Sequence, residues 1–509
     1  MIKLKEGDIH KGIIEFSNGG NASIKIENKS IFIFKKNTLN SLNLDTVNVK
    51  IIVKGKKLEA QVINVLERYR TKFVGKVQKN KRVTFVIVDN SKISVDFYIK
   101  DDINADDGKK VLIELIDWKE DEKSPRANII EIIGNSGENN TEMNSIMYEY
   151  GLPIDFPFIV EAESEMISEI INEMEIEKRR DIRNVITIGI DPFDSKDADD
   201  TIGLEFINGD RFISINIADV THYIKEDSEL DKEAFERGSS VYLVDRVIPM
   251  LPKRLSNNIC SLKSGSDKLC YSAIFKIDDE GEIIDKWFGR TIINVNKDYS
   301  YEEAQDVIEN GSKVETKITD DVVFELDRIA KKMRSKRVKD SLEMNSVEIK
   351  FNLDVDTKKP IGVYFKTQKD SNKLIEEYML LANKEVSMFI KSKNLPCVNR
   401  VHETPDPDKI EQIRNFVSKI GYEFGTDDDI KGNLNRLIKE VKDTPEENII
   451  TTLITRAQKK AIYSTKNLGH YGLGFKDYSH FTSPIRRFSD ILTHRLLSLA
   501  LGNEGYPIK

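Results

Sequence analysis

Five aspartates fall within ten residues, in the run Asp191-Pro192-Phe193-Asp194-Ser195-Lys196-Asp197-Ala198-Asp199-Asp200. Carboxylates a few ångströms apart repel one another, so such a cluster either takes up protons or gathers cations. No His or Cys stands in the run, and hard oxygen donors suit Mg²⁺, with Mn²⁺ as the alternative. Spacing excludes a calcium loop. Counted from Asp197, Ile202 replaces the turn glycine and Asn208 the bidentate glutamate. Counted from Asp191, Lys196 and Ile202 take those places. The plainer alternative is a solvated acidic turn.

A second constellation is Thr482-Ser483-Pro484-Ile485-Arg486-Arg487-Phe488-Ser489-Asp490. The spacing predicts a helix capped by Thr482 or Ser483, with Pro484 in its first position. Ile485, Phe488, Leu492, Leu496 and Leu499 would form its buried stripe, and Arg486, Asp490 and His494 another. Two arginines in a first turn oppose the helix dipole. Together with free amides they would make a phosphate pocket. The alternative is that both pair with buried carboxylates.

The elements that position these groups are partly legible. Val185–Ile190 alternates as a strand, with Ile186, Ile188 and Ile190 on one face and Asp191 at the tip on the other. Pro192 stops the ladder, and Ile202, Leu204 and Phe206 begin another apolar stretch. From Val185 onward strands and helices alternate, which predicts a large α+β domain. The chain has 509 residues, too many for one core. Residues 11–66 and 72–133 repeat loosely: Ile31–Phe34 returns as Asp96–Ile99, Val47–Ile51 as Val111–Leu115, and Val62–Leu66 as Ile129–Ile133. Short alternating strands at this spacing predict two small barrels of the oligonucleotide-binding kind. Stacking aromatics are sparse in them, with Phe85 alone in the second, so base stacking is not expected there. Gly134–Asn140 reads as a flexible linker and residues 143–180 as helical.

Charge is uneven. Residues 1–70 carry 13 Lys+Arg against 7 Asp+Glu, whereas the whole chain has a net charge of -8. An acidic total argues against a protein that coats nucleic acid, but not against an enzyme with a local basic channel. No apolar run has the length of a membrane helix, and no signal-peptide core follows Met1. Three separated cysteines, Cys260, Cys270 and Cys397, form no disulfide framework, and a cytoplasmic location is expected.

The acidic run and the arginine segment together resemble the ribonuclease II/ribonuclease R (RNB) family of exoribonucleases. Further phrases of the resemblance are Tyr150–Pro153, Ala218–Tyr223, Arg237–Tyr242, Lys373–Asn383 and Arg400–Glu403. Val241-Tyr242 and Pro249–Pro252 look more like ribonuclease R. The resemblance implies a multidomain chain: cold-shock-like barrels over 1–69 and 70–135, a linker and helical segment over 136–180, and an RNB-type catalytic domain over 181–509. It implies processive 3′-to-5′ hydrolysis of single-stranded RNA to nucleoside 5′-monophosphates by a two-metal mechanism. The partner would be the 3′ end of single-stranded RNA, with no membrane, and the protein a monomer. Metal ligands fall on Asp191, Asp197, Asp199 and Asp200, with Asp194 outside the set. Asp199, Asp200 and Arg486 would be catalytic, and Tyr242, Tyr301, Glu377 and Arg487 would contact RNA, with Glu376 the alternative to Glu377. His402 and His480 are read as structural, and the three cysteines as inert.

Departures from the family are also expected. Asn294 and Asp298 stand where relatives commonly carry basic residues, and Glu343-Met344-Asn345 replaces a Leu-Asp-Phe type segment. The chain stops soon after the arginine segment, so a C-terminal RNA-binding barrel is expected to be missing. The alternative function is therefore a truncated, weak or silent RNA-binding relative. A phosphatase or endonuclease of other topology is the third.

Overall fold

The computed structural model describes residues 4–27, 29–54, 57–80, 83–100, 105–119, 121–312, 316–343, 348–425 and 429–502. They fall into two compact units, residues 1–155 with 353–360, and residues 156–352 with 361–509.

In the first unit, strands β1 (Ile9–Phe16), β2 (Ala22–Ile26), β3 (Lys29–Ile33), β4 (Thr46–Lys54) and β5 (Lys57–Glu67) close into a barrel in the order β1-β2-β3-β5-β4. Strands β6 (Lys72–Asn80), β7 (Val83–Val88), β8 (Phe97–Ile99), β9 (Lys109–Asp117) and β10 (Arg126–Asn135) close into a second, β10-β8-β7-β6-β9, with the same cyclic order. The sequence repeat thus becomes β3 with β8, β4 with β9 and β5 with β10. Alternation fills the interior: Val47, Val49 and Ile51 point inward from β4, and Ala22, Ile24 and Ile26 from β2. In the second barrel Phe85 has company, since the Tyr98 ring stands edge-on to it at 5.9 Å.

The linker expectation is corrected. Asn135 still pairs with Lys109 in the ladder, and helix α1 (Asn139–Glu149) follows at once and packs on β10 and β6. Gly134, at φ +153, leaves no room for a side chain, because a Cβ would fall 2.2 Å from Thr141 Oγ1. Residues 136–180 are therefore divided between the units at 155/156 and form no segment of their own. Nor is 143–180 one helical stretch. Gly151 at φ +66 and Pro153 end α1, and Pro157 precedes α2 (Phe158–Met166). The short helix α3 (Glu173–Ile176) stands apart.

The second unit is built on seven strands: β11 (Arg180–Asp181), β12 (Ile186–Asp191), β13 (Asp200–Ile207), β14 (Asp210–Ala218), then, after α4 (Val220–Tyr223), α5 (Glu229–Arg237), and the pair β15 (Val241–Tyr242) and β16 (Val247–Ile248), strands β17 (Asp267–Ile277), β18 (Ile283–Asn294) and β19 (Lys297–Ser300). The sheet order is β11-β18-β17-β14-β13-β12-β19. Next come α6 (Tyr301–Asn310), α7 (Lys317–Arg337), the two-stranded sheet β20 (Glu348–Leu353) and β21 (Pro360–Lys366), and α8 (Asp370–Ser392). β22 (Asn399–Val401) pairs with β23 (Ile462–Ser464), and between them α9 (Pro407–Lys419), α10 (Ile430–Glu440) and α11 (Glu447–Ala457) enclose a small core of their own. Helix α12 (Phe488–Ala500) comes last.

Apolar side chains leave both faces of the sheet, so both are covered. Ile188, Ile190, Ile202 and Ile213 pack with Leu326 of α7 and Tyr378 of α8. On the other face Cys270, Ile274 and Ile293 pack with Leu230 of α5 and with Phe488 and Ile491 of α12. Among the described residues no helix is long and apolar enough to cross a membrane, and the three cysteines are free thiols.

A second correction concerns the arginine segment. The helix begins at Phe488, not at Pro484. Residues 483–487 form a turn in which the Ser483 carbonyl accepts from the N–H groups of Arg486 and Arg487. Arg487 is extended, at φ -141 and ψ 121, and bridges Ser239. The acidic side chain in the helix's first turn is Asp490, so the helix dipole is met in the ordinary way and the arginines lie outside it. Nor does α12 carry a single buried stripe: Asp490 and His494 are buried as fully as Ile491 and Leu497, and Arg495 is buried too.

Candidate active site

The acidic run is not a free solvated turn. It leaves β12 at Asp191 and re-enters the sheet at Asp200 on antiparallel β13. Its course is pinned by its neighbours. Ala198 N–H donates to Ser261 Oγ at 3.1 Å, and Leu262 N–H donates to the Ala198 carbonyl at 2.9 Å. Ala218 N–H donates to the Asp199 carbonyl at 2.9 Å. Parallel pairing of β12 with β19 sets Ser300 beside Asp191, and so brings Tyr301, the first residue of α6, to the same end of the sheet.

The arginine turn closes the opposite side. Gly238, at φ +67, ends α5 and gives its carbonyl to Phe488 N–H, while Ser240 N–H donates to the Arg486 carbonyl. The turn then meets the acidic run directly. Ile485 N–H donates to Asp199 Oδ1 at 2.8 Å and Arg486 Nε–H to Asp199 Oδ2 at 3.1 Å. Arg486 Nη2 donates to Ser483 Oγ at 2.9 Å. Tyr242 lies on the rim, its hydroxyl donating to Asp197 Oδ2 at 3.1 Å and its ring 53% exposed.

These groups enclose a cavity of about 460 Å³. Asp191, Asp197, Asp199, Asp200, Tyr242, Tyr301, Arg486 and Arg487 all line it, whereas Asp194 is exposed outside it. Glu377, expected to contact RNA, does not line it. Ile375, Glu376, Met379 and Asn383 form the cavity-facing side of α8, at successive positions of one helical face. Glu377 is one step of about 100° further round. It is buried and receives Arg337 Nη2 at 2.7 Å, on the side of α8 that faces a separate cavity of about 870 Å³. The glutamate that lines the cavity is Glu376.

Sequence reasoning also passed over Asn383, Tyr478 and His480 as lining residues. The i, i+4, i+8 series Ile375, Met379, Asn383 would have found the first. His480 keeps a structural place beside the cavity. Its Nδ1 pairs with the Tyr463 hydroxyl at 2.7 Å, and burial drives its pKa down to about 3, so it is neutral. His402 Nδ1 accepts from Gly472 N–H at 3.1 Å, away from the cavity. Of the family departures, Asn294 donates to Asp267 and Asp298 accepts from the backbone and hydroxyl of Ser264. Both side chains are thus committed within the protein. Met344 and Asn345 lie outside the described residues.

Burial dominates the electrostatics. It raises the Asp199 carboxyl to about 7, against the pull of Arg486. Asp200 is pushed well above the ordinary carboxylate range by burial and by the charges of Asp191 and Asp199. Asp191 is raised by burial too, with Lys263 acting in the opposite sense. Among the described residues neither Asp191 nor Asp200 receives a hydrogen bond on its carboxylate. Half-buried carboxylates left without donors fit hard divalent cations, and the cavity offers them oxygen donors. Among the described residues, however, no three His, Cys, Asp or Glu side chains already converge in a ligating group.

Comparison with known proteins agrees with this layout. A model of the RNB domain matches residues 179–503, and a cold shock domain model matches residues 85–157. Ribonuclease R of Thermotoga maritima is 35% identical over 99% of this chain and 72% of its own length. Ribonuclease R of Aquifex aeolicus is 32% identical over 96% of this chain and 70% of its own. The structure of Mycoplasma genitalium RNase R in complex with ribose-methylated single-stranded RNA superposes with a TM-score of 0.89 at 25% identity, covering 96% of this chain and 79% of that one. The barrels, the sheet that carries the acidic run and these relatives converge on one assignment: the chain belongs to the RNB family, as an exoribonuclease of the ribonuclease R type that degrades RNA from 3′ to 5′.

Proposed function

We propose that the protein digests single-stranded RNA processively to nucleoside 5′-monophosphates, with two Mg²⁺ ions held by Asp191, Asp197, Asp199 and Asp200 opposite Arg486. One observation carries this reading: donor-free carboxylates, an exposed tyrosine ring and an arginine share a single cavity about the size of a nucleotide site. Asp191 and Asp200 would be the principal ligands, because their oxygens are uncommitted. Asp199 would join them while also holding the arginine turn. The ions, when bound, would supply an activated water and stabilise the leaving 3′ oxygen.

The remaining work falls to the chain's own groups. Arg486 is fixed at Nε by Asp199 and at Nη2 by Ser483, which aims its other N–H donors into the cavity for phosphoryl oxygens. Tyr242 offers a ring face to terminal bases, and such stacking is indifferent to sequence, as digestion of any RNA requires. Tyr301 and Glu376, two of the polar groups that line the wall, would meet the sugar, where choice of RNA over DNA depends on the 2′-hydroxyl. Arg487 adds positive charge beside Arg486. In this reading one copy of the chain acts alone, in a reducing cytoplasm that keeps its three thiols free.

The test uses 5′-labelled and 3′-labelled single-stranded RNA, with and without Mg²⁺. Immediate mononucleotide release from the 3′ label, with the 5′-labelled strand shortening and no accumulation of intermediates, is expected only with the ion. Binding without products would mark a silent relative, and internal fragments an endonuclease.

A further inference from the structure

We infer that Asp490 is a positioning residue for Arg486: it joins the two ends of the arginine turn and holds Arg487, which also lines the cavity, so that Arg486 is the arginine bonded to Asp199. The inference rests on the proposed role of Arg486. Asp490 is fully buried, lies in the first turn of α12 and does not line the cavity. Its Oδ1 accepts from Ser483 N–H at 2.8 Å and from Arg487 Nη2 at 2.7 Å, and its Oδ2 accepts from Ser489 Oγ at 3.1 Å. One carboxylate therefore ties the first residue of the 483–487 turn to the last. Held between those anchors are the Ile485 N–H and the Arg486 Nε–H that converge on Asp199. Ser483, which Asp490 grips by its backbone, is also the residue whose hydroxyl receives Arg486 Nη2.

Capping the helix does not require this arrangement. A neutral Ser or Asn caps a helix well, and a buried carboxylate is costly unless paired. What the charge adds is a fixed place for Arg487. Two adjacent guanidiniums would otherwise both be drawn to Asp199 and Asp200, whose charges each of them feels. Asp490 claims Arg487, and Arg486 is left to present its donors to the cavity.

The test is single-turnover cleavage of 3′-labelled RNA at saturating enzyme and Mg²⁺ by the full chain, its Arg486→Lys and Asp490→Asn variants, and the double variant. Asn keeps the shape and an oxygen for Ser483 N–H, but loses the charge that holds Arg487. Arg486→Lys is expected to slow cleavage about 100-fold. Asp490→Asn is expected to slow it about 10-fold to 100-fold while the RNA dissociation constant stays within about threefold. The double variant should be no more than about threefold slower than Arg486→Lys, because both changes act through one group. Losses that multiply in the double variant, or full activity in Asp490→Asn, would overturn the inference while leaving the role of Arg486 standing. Should Asp490→Asn not fold, Asp490→Glu, which keeps the charge and displaces the oxygens, takes its place, and multiplication of its loss with that of Arg486→Lys would likewise overturn it. Wild-type cleavage by Arg486→Lys is a different failure: it would remove the role of Arg486 and this inference with it.

Discussion

The two sides of the cavity are built on opposite principles. On the arginine side the turn is bonded to itself, to α5 and β15 through Gly238 and Ser240, and to Asp199. On the aspartate side the backbone is pinned, but two of the four carboxylates, those of the half-buried Asp191 and Asp200, receive no hydrogen bond among the described residues. One wall is preorganised, and in the proposed reading the other would be completed by the cations it binds. Groups that must not move during the reaction are best held by the fold. Groups that must let cations and RNA pass cannot be saturated by it.

Experiments can break that contrast. The largest effect is expected from Asp200→Asn, which keeps shape and removes the charge. RNA cleavage should fall by about a thousandfold or more while RNA still binds in a gel-shift assay, and ordinary turnover at raised Mg²⁺ would end the ligand assignment. Chelation of divalent cations should abolish cleavage and Mg²⁺ should restore it, whereas the fold, read by circular dichroism, should persist without metal, since the sheet's core does not depend on the acidic run.

Tyr242→Ala should weaken RNA binding by about 1–3 kcal/mol, the worth of one stacked base, with Tyr242→Phe close to wild type because only the hydroxyl contact to Asp197 is lost. Equal losses in both variants would show that the tyrosine works by holding Asp197 and not by stacking.

The smallest and most discriminating effect concerns pH. Carboxylates whose folded pKa is raised contribute stability that is fully present below their unfolded value of about 4 and is lost as pH rises through the folded value. For Asp199 that folded value is about 7, and Asp191 and Asp200 are raised in the same sense. Metal-free protein should therefore lose stability between about pH 4 and pH 7 from this cluster. Mg²⁺, which competes with protons for the same oxygens, should raise Tm more at pH 8 than at pH 6. An equal Tm increment at both values would mean that the cations bind elsewhere.

Much of the molecule was readable in advance wherever the signal is local. Period-2 runs and their turns carry the two barrels, because alternation alone decides which side chains enter a small interior. The acidic run stood out through residue type and spacing and Arg486 through its place in an arginine pair, whereas Tyr242 and Tyr301 were named only through the resemblance to a known family. Failures came where two locally acceptable readings compete. Ser483-Pro484 is a sound helix start, yet the helix waits until Phe488, because the intervening residues gain partners on α5, β15 and Asp199 that no local pattern announces. Glu376 and Glu377 are chemically identical neighbours, and only the packing of α8 gives one to the cavity and the other to Arg337.

Local patterns thus supplied the parts: barrels from alternation, an acidic strand tip from clustered aspartates, and an arginine pair near the end. Only the tertiary structure decided their use. It brought positions 191–200 and 483–487 within hydrogen-bonding distance across nearly three hundred residues, set the rotation of α8, and gave Asp490 its hold on the turn. Local preference fixes what a segment can be within a few residues, whereas which carboxylate meets which guanidinium depends on contacts between segments that only folding brings together.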